Sequence, residues 1–450
     1  MDKTTVLCGL LALAAALPAL DAALRLRRLA AKGEGARDTS GECARGRILA
    51  VIPARAEGAR VGDLAEDLRR EGKKREEKIS LKGEETGAGG GVRRAAPRGA
   101  ADVDVLVVLD GPDPEAEARL ARDGVHYLSK KSPGPTKGHA LAFVAASIGD
   151  RLDSYDFILV FDADMRLPEG FFRDLVVPEG VEAFQLPVRP AGIPGSGAAR
   201  VEALSLAEAA GDDLARDAEG LPVRLRGKAM GFTPRAFRLG PAVATRTTVE
   251  DSEATLRLLA AGVRVRALEG PIAFDEPSAE AGAMARSRSR WFGGQLKLVF
   301  VGFGNLMKLA ISNPKGAFVL ACDLWLRPRI FLLGALAFLA LVSDVVLVFS
   351  SSNGTWSALA QGSGVPAAVA GVHARPIALL VLLLLLSFSA KSALVCEWLS
   401  LAALRRSIGY PPEVPSVSFS DAFASVSMWA RAVFAGVAAP SRWHRARPPR

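Results

Sequence analysis

Phe157-Ile158-Leu159-Val160-Phe161-Asp162-Ala163-Asp164 is the stretch from which the fold is read. Its five leading apolar residues are too few for a membrane helix and fit a strand buried on both faces, yet the run ends abruptly in two carboxylates. The period of two along a strand would aim Asp162 and Asp164 to one side just past its end. In an open α/β sheet ligands collect at the carboxyl ends of the strands, where two hard oxygen donors can hold a divalent cation against phosphates. An isolated Asp-x-Asp is more often a solvated turn, because turns favour Asp. The neighbouring segments tip the balance toward a site.

Those neighbours form a series of strand ends in fixed order. Arg47 to Ile52 reads as a buried strand stopped by Pro53, followed by the polar loop Ala54-Arg55-Ala56-Glu57 and a helix from Val61 to Arg70. Val103 to Leu109 reads as a second strand, ending at Asp110-Gly111. Ser132-Pro133-Gly134-Pro135 is a stiff turn that delivers Lys137 and the bare amide of Gly138 to a helix start, where anions are favoured; otherwise a lone Lys after a turn is solvated. Gly227 and Gly231 punctuate a segment where the backbone can approach a ligand closely, and Lys228 between them has no assigned role. Val249-Glu250-Asp251 leads into an amphipathic helix through Leu259, and Arg286, Arg288 and Arg290 stand beside Trp291.

From about Ile48 to Trp291 this order resembles the inverting family 2 glycosyltransferases of the membrane-bound, GT-A type. Val51-Ile52-Pro53-Ala54-Arg55-Ala56-Glu57 is similar to the family opening V-I-P-A-x-N-E, with Ala56 in place of Asn. Asp162-Ala163-Asp164 matches the DxD motif, and Glu250-Asp251 matches the E-D pair. The Q-x-x-R-W motif keeps Arg290 and Trp291 but has Ser287 in place of Gln. The resemblance implies an α/β, Rossmann-like nucleotide-diphospho-sugar transferase domain with flanking transmembrane helices. It implies inverting transfer, with Mg²⁺ or Mn²⁺, from a nucleotide sugar (UDP-hexose or UDP-N-acetylhexosamine) to a lipid or saccharide acceptor near a membrane. Asp164 is then the direct metal ligand, Asp162 touches the ribose or shares the metal, Lys137 lies near the donor, and Pro53 and Gly227 line the substrate site. Ser287 weakens the reading as a processive synthase of the cellulose or hyaluronan type, and intact Asp162, Asp164 and Asp251 weigh against an inactive scaffold. Sugar and acceptor are set by pocket shape and not by these shared motifs.

Chemistry gives each position a reason of its own. Charge grows on a leaving diphosphate and calls for cations. Asp162 and Asp164 can supply a metal, and Arg288 and Arg290 can add forked donors, although three arginines beside a membrane segment also suit anionic lipid. Trp291 has a parallel alternative as an interfacial anchor. An attacking hydroxyl must lose its proton, and Asp251, at the start of the helix Ser252 to Ala260, is the candidate base. The alternative is that Glu250, Asp251 and Glu253 merely cap that helix. Glu57 and Asp110 are suited to the uracil and ribose edges, or to ordinary turn chemistry.

Half the residues are hydrophobic while 23% are charged, so a soluble domain is joined to membrane segments. A hydrocarbon core of ~30 Å needs about 20 apolar residues. Ile330 to Phe349, interrupted by Asp344, and Ile377 to Leu404, with Lys391 and Glu397 inside, qualify; Thr4 to Leu20 does so with its flanks, or is a signal cleaved after Ala22. The expected organisation is an anchor over 1–24, a catalytic domain over 46–291 with a flexible insertion over 66–101, interfacial helices over 292–326, two spans within 330–404 and a basic tail over 405–450. Trp291 to Ser312 could instead be a buried amphipathic helix. Arginines follow the first span, precede the second and follow the third, while Ser350 to Ala374 has no Lys or Arg, which places the catalytic domain and tail in the cytoplasm. The net charge of +9 then reads as attraction to an anionic membrane face and not as nucleic-acid binding. Cys8, Cys43, Cys322 and Cys396 lack paired spacing, as expected of free thiols.

Overall fold

Strand β1 (Ile48–Ala54) is buried along its whole length because the chain covers it on both faces. Ile48, Ala50, Ile52 and Ala54 enter one core with Val61, Leu64, Ala65 and Leu68 of helix α1 (Val61–Glu85). Leu49 and Val51 enter the other with Ala140, Leu141 and Val144 of helix α3 (Lys137–Ile148). The alternation follows from the two-residue period of a strand. This computed structural model describes residues 16–18, 20–28, 46–85, 103–192, 197–275, 281–325 and 419–438, with residues 337, 338, 341, 344, 391, 392, 395 and 399.

The remaining elements are β2 (Val103–Leu109), α2 (Pro114–Arg122), β3 (His126–Ser129), α3 (Lys137–Ile148), β4 (Phe157–Val160), β5 (Met165–Arg166), β6 (Ala183–Gln185), β7 (Val188–Pro190), α4 (Gly197–Ala218), β8 (Met230–Phe232), α5 (Pro234–Leu239), α6 (Glu250–Ala260), β9 (Val265–Ala267), β10 (Ala273–Asp275), α7 (Ala281–Val301), α8 (Phe303–Ser312), α9 (Pro314–Trp325) and α10 (Phe419–Ala438). The larger sheet has the order β3-β2-β1-β4-β8-β6-β9. Parallel pairing of β1 with β2 and β4, and of β2 with β3, sends four carboxyl ends to one edge. Only β8 is reversed, so β6 and β9 end at that edge too, and β8 starts there. A smaller sheet, β5-β10-β7, has Asp275 opposite Met165 and brings the end of β10 beside the Asp162-to-Met165 turn.

Several expectations are corrected. Pro53 does not stop β1, which continues to Ala54 with Pro53 opposite Val108. Ala54 O accepts from Asp110 N of the β2 side at 2.8 Å, so Pro53, one residue earlier, turns its missing N–H toward β4, whose pairing ends at Val51. The insertion foreseen over 66–101 is helical as far as Glu85, because Leu64 and Leu68 anchor α1 on the sheet; residues 86–102 lie outside the described residues. Within the foreseen tail, residues 419–438 form α10, packed against α4 and α7. Trp291 to Ser312 is divided between α7 and α8. Leu298, Leu306 and Leu309 of this stretch pack with Leu256, Leu320 and Leu324, whereas Phe300, Phe303 and Ile311 are exposed.

The chain divides into two units, Ala36–Leu324 with Pro411–Arg450, and Met1–Gly35 with Trp325–Tyr410. The foreseen spans fall almost wholly outside the described residues. Among the described residues no helix is long and apolar enough to cross a membrane. Asp344 and Lys391, the charges within the second and third apolar runs, pair with each other at 2.8 Å.

Candidate functional site

The carboxyl edge of the larger sheet collects the chemistry. After β4 the chain turns, with Met165 N bonded to Asp162 O at 3.1 Å, so Asp162 and Asp164 stand on a turn and not on a continued strand. Lys137, the first residue of α3, is buried and donates to Asp162 Oδ1 and to the carbonyl of Gly227. Its Nζ also lies 3.9 Å from Glu250 Oε1. One ammonium therefore joins β4, the loop before β8 and the start of α6. Gly227 has φ +81°, a backbone conformation L side chains rarely adopt. A Cβ there would stand 3.6 Å from Asp251 Oδ2 and 3.7 Å from Glu250 Oε1, which shows how near both carboxylates come to the loop.

Electrostatics follow from this crowding. Burial tends to raise the Asp162 carboxyl, but Lys137 and, after it, Lys228 and Arg290 hold it below the usual carboxylate range. Burial tends to discharge Lys137, and Asp162 and Glu250 overcome that, raising it above an ordinary lysine. Burial pushes Glu250 up to about 7, helped by the Asp251 charge and opposed by Lys137. Arg290 sits among the same groups: burial lowers its pKa, and Glu250 and Asp162 oppose the shift.

Helix α6 divides its acidic residues by task. Glu253 ties down the preceding loop, its Oε2 accepting from Arg246 N at 3.1 Å, Thr247 N at 3.2 Å and Thr247 Oγ1 at 3.0 Å, while Oε1 takes Arg257 Nη1 at 2.8 Å. The N-cap position, Val249, makes no side-chain cap bond. Asp251 is buried, with Oδ1 accepting from Ser252 N at 2.7 Å and Oδ2 turned to Gly227. Glu253 thus braces the loop ahead of the helix, while Asp251 meets a first-turn amide through Oδ1 and leaves Oδ2, like the Glu250 carboxylate, beside Gly227.

Helix α7 is fastened to this end of α6. Thr248 Oγ1 donates to Arg290 O at 2.9 Å, and a Cβ on Gly294 would collide with Thr248 Oγ1 at 2.5 Å. Arg290 is thereby set beside Glu250 and Asp162. Arg288 is turned away, bonded to Glu202 of α4 with its guanidinium 5.7 Å from the Trp429 ring centroid. Trp291 is half-buried, with its ring centroid 6.1 Å from that of Trp429. Of Arg288, Arg290 and Trp291, only Arg290 joins the cluster, because neighbouring helical positions face different directions.

At the ends of β1 and β2, Pro53 is buried in the strand, and Glu57 is half-buried in the turn after Ala56, whose φ is +52°. Asp110 is fully buried with both oxygens engaged, by Arg55, by Lys130 and by Gly134 N at 3.0 Å and 3.2 Å. In this arrangement it fixes the loop that leads to Lys137 instead of presenting a carboxylate outward.

Sequence reasoning passed over Asp275 and left Lys228 without a role. Lys228 Nζ bonds Asp275 Oδ2 at 2.7 Å, and Asp275, Asp162 and Asp164 together outweigh burial and raise the lysine above its usual value. Asp275 Oδ1 is buried without a hydrogen-bond partner. A signal existed, since Ile272-Ala273-Phe274-Asp275 is again an apolar stretch ending in Asp, but three apolar residues after a proline are too few to stand out. Beneath the loop, Arg216 pairs with Asp212 at 2.7 Å and with Asp323 at 3.3 Å, and Arg224 stands 3.5 Å from Asp323.

The donor set fits a divalent cation shared with a substrate. Among the described residues no three His, Cys, Asp or Glu gather as a ready metal cage. Two carboxylates completed by phosphate oxygens and water is the mode Mg²⁺ adopts in nucleotide sites, and Asp162 and Asp164 offer it.

The family described as Glycosyl transferase family group 2 matches residues 157–402. Among solved structures the chain is similar to the mannosyltransferase PcManGT from Pyrobaculum calidifontis in complex with GDP-Man and Mn²⁺, at 14% identity and a TM-score of 0.48, over 87% of this chain and 99% of that one. It is also similar to glucosyl-3-phosphoglycerate synthase from Mycobacterium tuberculosis in complex with Mn²⁺, UDP and glucosyl-3-phosphoglycerate, at 16% identity and a TM-score of 0.32, over 56% of this chain and 76% of that one. No curated protein matches.

Proposed function

Because the chain belongs to glycosyl transferase family group 2, we propose that it moves a hexose or N-acetylhexosamine, with inversion, from a UDP-sugar to an acceptor at a membrane. The observation that carries this is the meeting of the Asp162–Asp164 turn, Lys137, Arg290 and the Glu250-Asp251 helix start at one sheet edge. Asp164 and Asp162 would hold Mg²⁺ or Mn²⁺, which would supply positive charge to the diphosphate as its bond to the sugar breaks. Lys137 keeps Asp162 ionised and oriented, and Lys228 and Arg290 add fixed positive charge beside it. Asp251 takes the acceptor proton while the acceptor oxygen bonds the anomeric carbon from the face opposite the leaving group. The electron pair departs with UDP, and this single displacement inverts the centre.

Three observations support the membrane part. Phe300, Phe303 and Ile311 lie exposed among the exposed Lys297, Lys308 and Lys315, as in a helix pair lying on an anionic bilayer. Asp344 and Lys391 neutralise each other between two apolar runs, as charges within a bilayer do. The arginine distribution orients the catalytic domain toward the cytoplasm, where nucleotide sugars are made.

The test is incubation of the membrane-embedded protein with radiolabelled nucleotide sugars and Mn²⁺, scoring released nucleoside diphosphate and labelled product. UDP release that vanishes in excess chelator is the expected result. Full turnover in chelator, or no turnover with any donor, overturns the proposal.

A further inference from the structure

A half-open cleft lies along the same sheet edge, enclosing about 430 Å³ with its solvent-filled mouth included. Gln185 and Ala267 in its wall are the last residues of β6 and β9, and Gln185 pairs with Met230, which pairs in turn with Val160. The cleft is therefore level with the Asp162 turn, two strands across. Arg226 and Lys228, also in the wall, flank Gly227, which faces Asp251 and Glu250.

The wall is hydrocarbon, from Leu186, Val188, Leu206, Ala210, Leu214 and Leu268, and among the described residues no aromatic ring lines it for a sugar to stack on. Each polar side chain in it is already matched. Gln185 Nε2 donates to Lys228 O at 2.8 Å and to Leu186 O at 2.9 Å, and its Oε1 accepts from Arg226 N at 2.8 Å. Arg226 forks onto Asp213 at 2.5 Å and 2.6 Å, and Lys228 is paired with Asp275. A saccharide here would surrender its hydration to groups that cannot replace it. Among the described residues of the wall a phosphate would find no unmatched cation, at an edge that already carries Asp162, Asp164, Asp251 and Asp275.

We propose that this cleft receives the hydrocarbon of a neutral lipid alcohol, the acceptor of the transfer, with its hydroxyl at the Gly227 end facing Asp251. The inference rests on the reading of the chain as a sugar transferase and decides between the lipid and saccharide acceptors which that reading allows. The hydroxyl oxygen bonds the anomeric carbon, the sugar–diphosphate bond breaks with its electron pair leaving on the nucleoside diphosphate, and the hydroxyl proton passes to Asp251. A hydroxyl acceptor needs such a base, whereas a phosphate oxygen does not.

The full chain in phosphatidylcholine vesicles with labelled donor and Mn²⁺ is offered dioleoylglycerol, farnesyl phosphate or a soluble maltooligosaccharide. Transfer to dioleoylglycerol is expected, and Ala210→Phe, which fills the cleft, should raise the KM for it about tenfold or more while the donor KM moves less than about twofold. A diazirine-bearing octadecanol should label the Gly197–Ala218 helix, and dioleoylglycerol should suppress the labelling where farnesyl phosphate does not. Labelling that spares this helix, or preferred transfer to the oligosaccharide or to farnesyl phosphate, overturns the inference whether or not the variant folds. Nucleoside diphosphate release without acceptor reads the parent proposal separately: its presence alongside either overturning result removes the lipid acceptor alone, and its absence with every donor removes both.

Discussion

Lys137→Met removes the ammonium that joins three elements of the site, and its cost can be worked from the structure. The Lys137 side chain is 9% exposed and that of Asp162 30% exposed. Taking one partner from a buried ion pair costs about 3–5 kcal/mol, and the partial exposure of Asp162 screens this to about 2–3 kcal/mol. The pH dependence has a defined sign. Asp162 is held below its ordinary 3.8, so its contribution is present above that value and is lost as pH falls through the lowered one. Lys137 is raised above 10.5, so its contribution is present below that value and is lost as pH rises through the raised one. The part of the difference between wild type and variant that comes from Asp162 should therefore be level across neutral pH and shrink only below about 3.8. Urea unfolding followed by tryptophan fluorescence at pH 7.5 and at pH 3, below the ordinary Asp value, measures it. A difference under about 1 kcal/mol at pH 7.5, or one that grows toward acid, would refute the assignment of Lys137 as the clamp on Asp162.

Asp164→Ala should abolish turnover and weaken UDP binding specifically when Mn²⁺ is present, read by calorimetry with and without the metal. Asp251→Asn should lower kcat by ~10² to 10⁴ with donor affinity little changed; near-native turnover would remove it from the mechanism, and unchanged stability is expected because Glu253 holds the loop before α6. Glu250 is raised from 4.5 to about 7, so the folded state binds its proton more tightly; stability from this group is fully present below 4.5 and falls as pH rises through about 7. Glu250→Gln should flatten that slope between pH 5 and 8 in thermal melts, and an unchanged slope would contradict the shift. Gly227→Ala should destabilise by about 1–2 kcal/mol through its positive φ alone, since the added Cβ meets Asp251 and Glu250 only at ordinary contact distance.

Much of the catalytic edge was legible because it rests on short-range chemistry. An apolar run closed by Asp162-Ala163-Asp164, a glycine at 227 and a carboxylate pair at 250–251 state their local needs within a few residues of sequence. Less legible were features whose partner is remote in the chain. Asp110 was legible as a strand-end carboxylate, but Arg55, Lys130 and Gly134, which occupy it, arrive from separate loops. Arg288 and Arg290 look equivalent in sequence, and a helix turn sends one to Glu202 and leaves the other beside Glu250. The flexible insertion foreseen over 66–101 is polar in composition, yet residues as far as Glu85 continue a helix nucleated by Val61, Leu64 and Leu68 against the sheet.

By itself the sequence determined the strand cores, the direction of the first strands and the residue types available at their ends, since side-chain period and turn chemistry are local properties. The tertiary structure alone decided which charges meet. Reversal of β8 brings Lys228 to the edge where β4 ends, and pairing of β10 with β5 brings Asp275 there from 111 positions beyond Asp164. Those encounters depend on strand order and loop closure across the whole domain, and no local pattern encodes the distance between two side chains that fold together from opposite ends of a sheet.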